Sequence, residues 1–287
     1  MRPKNLKTKI FLDSCDPAET KEIISLLGFI DGQTTNPTLV AKNPYARERF
    51  SKGDKFTKEE IYDFYKKVIK EISVLIPNGP VSIEVYADEN TTALEMFAEG
   101  REMFNWIPNS QIKYPITPAG LEAAERGIKE GIRVNMTLCF TEEQAGAVYA
   151  ATMGAKRGDI FVSPFIGRLD DIGENGMSLI KNIIKSYKKG DTHVEVLSSS
   201  IRNIDHLLAS FALGADIVTV PLGVLKEWKS MGMPVPESLE SFDFSGFKDI
   251  PYQEINLNQD WKKFNLKHEL TDKGVKRFAS DWNALIK

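Results

Sequence analysis

Short apolar and β-branched runs alternate along this chain with longer amphipathic stretches, the rhythm of β-α units around a parallel sheet. Eight such runs stand out: KIFLD, FIDGQTT, VSIEVYA, QIKYPI, RVNMTLC, DIFVSPFI, HVEVLSSS and DIVTVP. Each is short enough for a barrel strand. Between them, helix starts are written in capping residues: Asp16-Pro17, Thr117-Pro118, and Thr141 with Gln144 as a capping box. The pattern predicts an α/β fold, a (β/α)8 TIM barrel, as one domain over 1–287.

Two stretches interrupt the rhythm. Residues 42–56 read as a polar insertion that covers the barrel mouth, and 231–270 carry Pro, Ser and Asp with little periodicity. The second leads to an amphipathic helix in which Val275, Phe278, Trp282 and Leu285 share a face, so 231–287 is expected to be a C-terminal extension ending in a closing or interface helix. An interface helix would make a homo-oligomer.

Length and composition agree with one soluble barrel: 287 residues, 42% hydrophobic and 27% charged. The net charge of -3, with both signs interleaved, leaves no basic face for nucleic acid. The apolar run near the start, Ile10 to Leu12, is too short for a signal peptide or a membrane span, so no membrane is expected and the expected address is cytoplasmic. Cys15 and Cys139 are expected to be reduced thiols. His193, His206 and His268 lack metal-ligand spacing, and no Gly-rich nucleotide loop is present. Neither a metal nor a cofactor is expected.

Polar residues at strand ends change this picture, because the strand C-termini form the active face of such a barrel. Asp13, Thr34, Thr35 and Asn36 end the first two runs, Glu84 lies among Ile83, Val85 and Tyr86, and Lys113 stands between Ile112 and Tyr114. Burial disfavours an ammonium and so promotes the neutral amine that attacks a carbonyl. A strand lysine also fits a packed stem with its ammonium in solvent. Two carboxylates at the same mouth favour the chemical reading, since Schiff-base formation and C–C cleavage both need protons moved at defined atoms. Asn135 and Thr137, two apart, share a face of the fifth run and could hold hydroxyls or a water. Arg168, Arg202 and the serines 198–200 suit a phosphate in the loops where barrels often bind one.

Taken in order, LDSCD, TTNPT, SIEV, IKYP, NMTLCFTEEQA, VSPFIGR and SSSIRN resemble the transaldolase family over nearly the whole chain. The resemblance implies Lys113 as the Schiff-base lysine, Asp13 as the acid/base at the C4 hydroxyl, and Glu84 with Thr137 on the catalytic water. It places Asn36, Asn135 and Ser163 on the hydroxyls of a dihydroxyacetone unit, and Arg168, Ser200 and Arg202 on a phosphate. The expected partners are sugar phosphates, fructose 6-phosphate as donor and erythrose 4-phosphate as acceptor. The related fructose 6-phosphate aldolases usually carry Gln and Tyr where Glu84 and Phe165 stand here, so both positions favour transfer over release. A non-catalytic sugar-phosphate-binding barrel is the alternative from another class. Ile201, Tyr114 and the two odd segments depart from the family's usual pattern.

Overall fold

The computed structural model describes residues 1–287. Eight strands, β1 (Lys9–Asp13), β2 (Gly32–Thr34), β3 (Val81–Glu84), β4 (Ser110–Pro115), β5 (Val134–Cys139), β6 (Ile160–Pro164), β7 (Val194–Ser198) and β8 (Ile217–Val220), close a parallel barrel in chain order. Seven lie inside a run read from the sequence, and β4 begins one residue before its run, at Ser110. The helices that follow the first three strands are α1 (Pro17–Leu27), α2 (Pro37–Lys42), α3 (Pro44–Ser51), α4 (Lys58–Leu75) and α5 (Ala93–Phe104). The remainder are α6 (Pro118–Lys129), α7 (Glu142–Ala151), α8 (Ile166–Asp170), α9 (Gly176–Tyr187), α10 (Ile204–Leu213), α11 (Leu222–Ser230) and α12 (Glu269–Asn283).

Side chains alternate between two cores. One face of each strand packs outward under the helices, in a continuous apolar cluster that includes Ile10, Ile83, Ile112, Val134 and Val218. The other face fills the barrel, where Phe11, Phe161, Leu197 and Ile217 form a separate apolar layer. Asp13 lies two residues beyond Phe11, Ser163 two beyond Phe161 and Thr219 two beyond Ile217, so the two-residue period carries these polar groups to the C-terminal end of the interior. The register Asp13↔Thr34, Glu84↔Lys113 and Lys113↔Asn135 then sets the mouth residues side by side.

The caps behave as their chemistry requires, with one difference. Asp16 accepts from the Ala18 amide at 2.9 Å and Thr117 from the Gly120 amide at 3.1 Å. Thr141 accepts from the Gln144 amide, but Gln144 Oε1 takes its bond from the amide of Phe140, one residue before the cap, at 2.7 Å. The expected reciprocal box is therefore offset: the Gln144 Nε2 bonds the Leu266 carbonyl and Thr271 Oγ1, and that pull draws the side chain across.

The two odd stretches trade roles. Asn43-Pro44 supplies a side-chain cap and a proline at N1, so most of 42–56 becomes α3 instead of a loose cover. Tyr45 and Phe56 pack against Phe64 of α4, and Phe56 N bonds the Leu285 carbonyl at 2.9 Å. The cover comes from the other end of the chain. After α11, the segment 231–268 runs back around the outside of the barrel, touching α9 (Asn182 Nδ2 to Ile250 O, 2.9 Å), α7 (Gln253 N to Glu142 Oε2, 3.1 Å) and α6 (Trp261 Nε1 to Glu125 Oε2, 3.2 Å). It delivers α12 to the open end, against β5 and α2. No helix is long and apolar enough to cross a membrane.

Candidate active site

Lys113 is almost wholly buried inside the mouth, and so is Glu84. Its Nζ lies 3.0 Å from Glu84 Oε2 and donates to the Thr35 carbonyl at 3.3 Å. The sequence put two carboxylates at this mouth; the structure sets one of them, Glu84, against the amine, because Glu84 and Lys113 are register partners on neighbouring strands. The pair attracts as charges without a well-aligned bond: Glu84 Oε2 has no hydrogen-bond partner of good geometry, nor has the buried Thr137 Oγ1. Burial raises the Glu84 carboxyl above its ordinary range, opposed by Lys113.

A second carboxylate stands across the mouth. Asp13 accepts from Thr34 Oγ1 at 2.7 Å, and Thr34 shares a 2.5 Å contact with Thr219. Its carboxyl is also raised by burial, with Lys113, the Thr34 bond and Lys42 pulling the other way. Two acids whose neutral forms are favoured by burial, beside one amine, form a set able to give and take protons.

Buried networks fix this set. Tyr65 of α4 accepts from the Glu84 amide at 3.1 Å and contacts Thr35 Oγ1 at 2.5 Å, and Thr35 Oγ1 donates to the Ser82 carbonyl at 2.7 Å. Ser163 Oγ donates to Asn135 Oδ1 at 2.6 Å, and Asn135 Nδ2 donates to Ser82 Oγ at 3.1 Å. Such belts cost little when every member is satisfied, and they remove rotamer freedom from their neighbours.

Above this floor opens a cavity of about 330 Å³. Of the residues read from the sequence, Asp13, Asn36, Lys113, Ser163, Phe165, Arg168, Ser200 and Arg202 line it. Glu84, Asn135 and Thr137 do not; they sit in the floor behind the lining. Asn36 spends its Oδ1 capping α2 through the Leu39 amide at 2.9 Å, which leaves its Nδ2 as the free polar atom. Larger hollows of about 620 and 580 Å³ lie around α3, away from every strand end.

The far side of the cavity is cationic. Arg168 lies between the rings of Phe165 (5.2 Å) and Phe278 (5.4 Å) and has no carboxylate within ion-pair distance. Arg202 crosses Gly167 so closely that a Cβ there would meet its Nε at 2.5 Å and the Ser200 carbonyl at 2.3 Å. Only glycine fits. Ser200 itself holds a left-handed φ of 61°, a strain of about 1–3 kcal/mol maintained by its surroundings. His206 ties the two loops together: Nδ1 accepts from the Arg202 amide at 3.3 Å while Nε2 faces Asp170 Oδ2 at 2.7 Å.

Lys42, Thr38, Thr219, Arg277 and Phe278 also line the cavity and were not read as site residues from the sequence. Arg277 and Phe278 belong to an amphipathic helix whose apolar face was legible, but nothing in its period says that this face would close an active-site mouth. The only clue was an arginine beside the buried stripe. No group of three or more His, Cys, Asp or Glu side chains is placed to hold a metal.

The sequence model of the family Transaldolase/Fructose-6-phosphate aldolase matches residues 10–287. The chain belongs to the transaldolase/fructose-6-phosphate aldolase family. Among its relatives, a "Probable transaldolase" of Dehalococcoides mccartyi is 36% identical over 97% of this chain and 100% of its own length. A "Probable transaldolase" of Geobacter sp. is 35% identical over the same shares, and a "Probable transaldolase 2" of Listeria monocytogenes is 36% identical over 96% of each. The mouth and the α12 cover both fall within the residues that the family model matches.

Proposed function

We propose that this enzyme transfers a dihydroxyacetone unit from fructose 6-phosphate to erythrose 4-phosphate through a Schiff base on Lys113, a step of the pentose phosphate pathway. The observation that carries the reading is one buried amine between two carboxylates raised by burial, at one end of a cavity whose other end is cationic.

Each group has a step. The Lys113 ammonium gives a proton to Glu84, 3.0 Å away, and the neutral amine adds to the C2 carbonyl. The carbinolamine loses water, with Glu84 returning the proton and Thr137 orienting the water through a hydroxyl that has no protein partner. Asp13, as carboxylate, takes the C4 hydroxyl proton; the C3–C4 bond breaks, its electron pair moves into the iminium, and glyceraldehyde 3-phosphate leaves. The enamine then attacks the aldehyde of the acceptor, and the steps reverse to free sedoheptulose 7-phosphate and Lys113. Arg168, Arg202 and Ser200 hold the phosphate of donor and acceptor in turn, so both place their reacting carbon over the lysine. Asn36 and Ser163, with Asn135 behind them, serve the hydroxyls of the retained fragment.

Phe165 favours transfer over release. It lines the cavity with a ring that carries no acidic proton, packed edge-on to Phe140 at 6.0 Å, so the enamine meets no donor from this position and waits for an aldehyde. The test is glyceraldehyde 3-phosphate release from fructose 6-phosphate, with and without erythrose 4-phosphate, and Lys113→Met as blank. Release that depends on the acceptor is expected; release that ignores it makes the enzyme an aldolase.

A further inference from the structure

We propose that Arg277, on the C-terminal helix, is a third phosphate-binding arginine of the mouth, so that α12 is part of the substrate site as well as its cover. The proposal rests on reading the cavity as a sugar-phosphate site, and it adds a residue and an element to it.

Three observations converge on α12. Phe278 gives one of the two ring faces that sandwich Arg168. Gly274 approaches so closely that a Cβ there would lie 2.8 Å from Arg168 Nη1 and 2.6 Å from the Leu138 side chain. The helix is pinned at this depth by Thr271 Oγ1 donating to the Leu138 carbonyl at 3.0 Å, at a residue with a left-handed φ of 62° beside the register shift of β5. A helix seated this far in carries Arg277, two-thirds exposed, into the lining of the cavity that Arg168 and Arg202 also line.

The charges at the rim do not balance. Arg202 pairs with Asp171 at 2.9 Å, but Arg168 has no carboxylate, and Arg277 lies 3.7 Å from Asp281, which already accepts from Thr38. Arg168 is accordingly held below the usual guanidinium pKa by burial first and by the charges of Arg277 and Arg202 next. Guanidinium groups that repel one another around an open cavity are relieved by a dianion with several acceptor oxygens, which a phosphate supplies. The other cations of α12 are engaged elsewhere: Lys273 with Glu269 at 2.5 Å and Lys276 with Glu89 at 3.4 Å. By linkage, phosphate bound to Arg277 also holds α12 down.

The experiment titrates inorganic phosphate into full-length wild type, Arg277→Met, Arg277→Lys, Arg168→Met and the control Lys276→Met, which removes the same charge one residue away. Alongside, with sedoheptulose 7-phosphate as donor, kcat/KM is measured for glyceraldehyde 3-phosphate and for unphosphorylated glyceraldehyde as acceptors. Arg277→Met should weaken phosphate roughly tenfold or more, the range of a charge-assisted bond. It should lower kcat/KM for the phosphorylated acceptor by a similar factor and leave glyceraldehyde within about twofold. Arg277→Lys should recover part of the loss and Lys276→Met should cause none. Phosphate binding within about twofold of wild type in Arg277→Met, while Arg168→Met loses it, overturns the inference, as does an equal loss in Lys276→Met. The titration needs no turnover, so weakened phosphate binding in a protein without transferase activity would sink the proposed reaction and leave the assignment of Arg277 standing.

Discussion

Two lysine–glutamate pairs sit at opposite ends of the same barrel with the same closest distance, 3.0 Å, and they differ in everything else that matters. At the N-terminal end Lys9 grips both oxygens of Glu195, at 3.0 and 3.1 Å, with the lysine side chain 44% exposed and Arg157 nearby at 3.8 Å. At the mouth both Lys113 and Glu84 are below 5% exposed, and one carboxylate oxygen lacks a well-aligned donor. The first pair keeps its ammonium in water and its carboxylate fully bonded, which is what a structural pair requires. The second is desolvated and incompletely satisfied, an arrangement that a fold selected for stability alone would replace by apolar groups. Distance does not separate a structural pair from a reactive one; solvation and unfilled hydrogen-bonding capacity do.

Substitutions at the two pairs should therefore diverge. Lys113→Met should lower transfer activity by roughly four orders of magnitude or more, since the other amine lining the cavity, Lys42, is exposed on α2, while Lys9→Met should leave kcat within about threefold. A comparable loss at both ends would break the comparison. Glu84→Gln should lower kcat by about 10²- to 10⁴-fold, the range of a lost general acid/base, whereas Glu195→Gln should reduce Tm and leave kcat nearly unchanged. Denaturation curves and steady-state rates on the four variants decide both.

The strand residues behind this contrast were legible before any coordinates. A charged residue inside a short apolar run, as at Glu84 and Lys113, is a local signal, and the two-residue period then assigns it to a face. Their pairing was not legible, because strand register is a property of the closed sheet. Nor was Arg277, since an arginine at the edge of an amphipathic helix has the same local sequence whether it meets solvent or a substrate cavity. The 231–268 segment advertised its irregularity, but its path depends on scattered partners such as Glu142 and Asn182, on distant helices. The helix at 44–51 was hidden for a simpler reason: its composition is polar enough to pass for a loop.

Phe165→Tyr sharpens the comparison at the mouth by adding a proton donor beside the reactive pair. The ratio of dihydroxyacetone release to transfer should rise by roughly tenfold, read from product analysis with and without acceptor. An unchanged ratio would remove Phe165 from the account of why transfer wins.

A half-buried carboxylate away from both pairs supplies the smallest effect. Glu99 of α5 has no ion-pair partner within 4 Å; it accepts from Tyr62 Oη at 2.5 Å and from the Tyr86 amide at 3.1 Å. Burial raises its carboxyl to about 7, opposed by these two bonds. The folded state therefore binds the proton more tightly than the unfolded chain does. Stability from this group is complete below about pH 4.5 and declines as pH rises toward 7. Glu99→Gln should flatten that part of the profile, a difference of roughly 2–4 °C in Tm between pH 5 and pH 7.5. Identical slopes in wild type and variant would show that Glu99 titrates normally.

The central claim is that Lys113, and not Lys9 or any surface lysine, carries the substrate as an imine. Borohydride reduction with saturating fructose 6-phosphate, followed by peptide mass mapping, tests it directly. The account predicts one reduced sugar adduct on the peptide containing Lys113, absent from Lys113→Met. No adduct, or an adduct on another lysine, would contradict it.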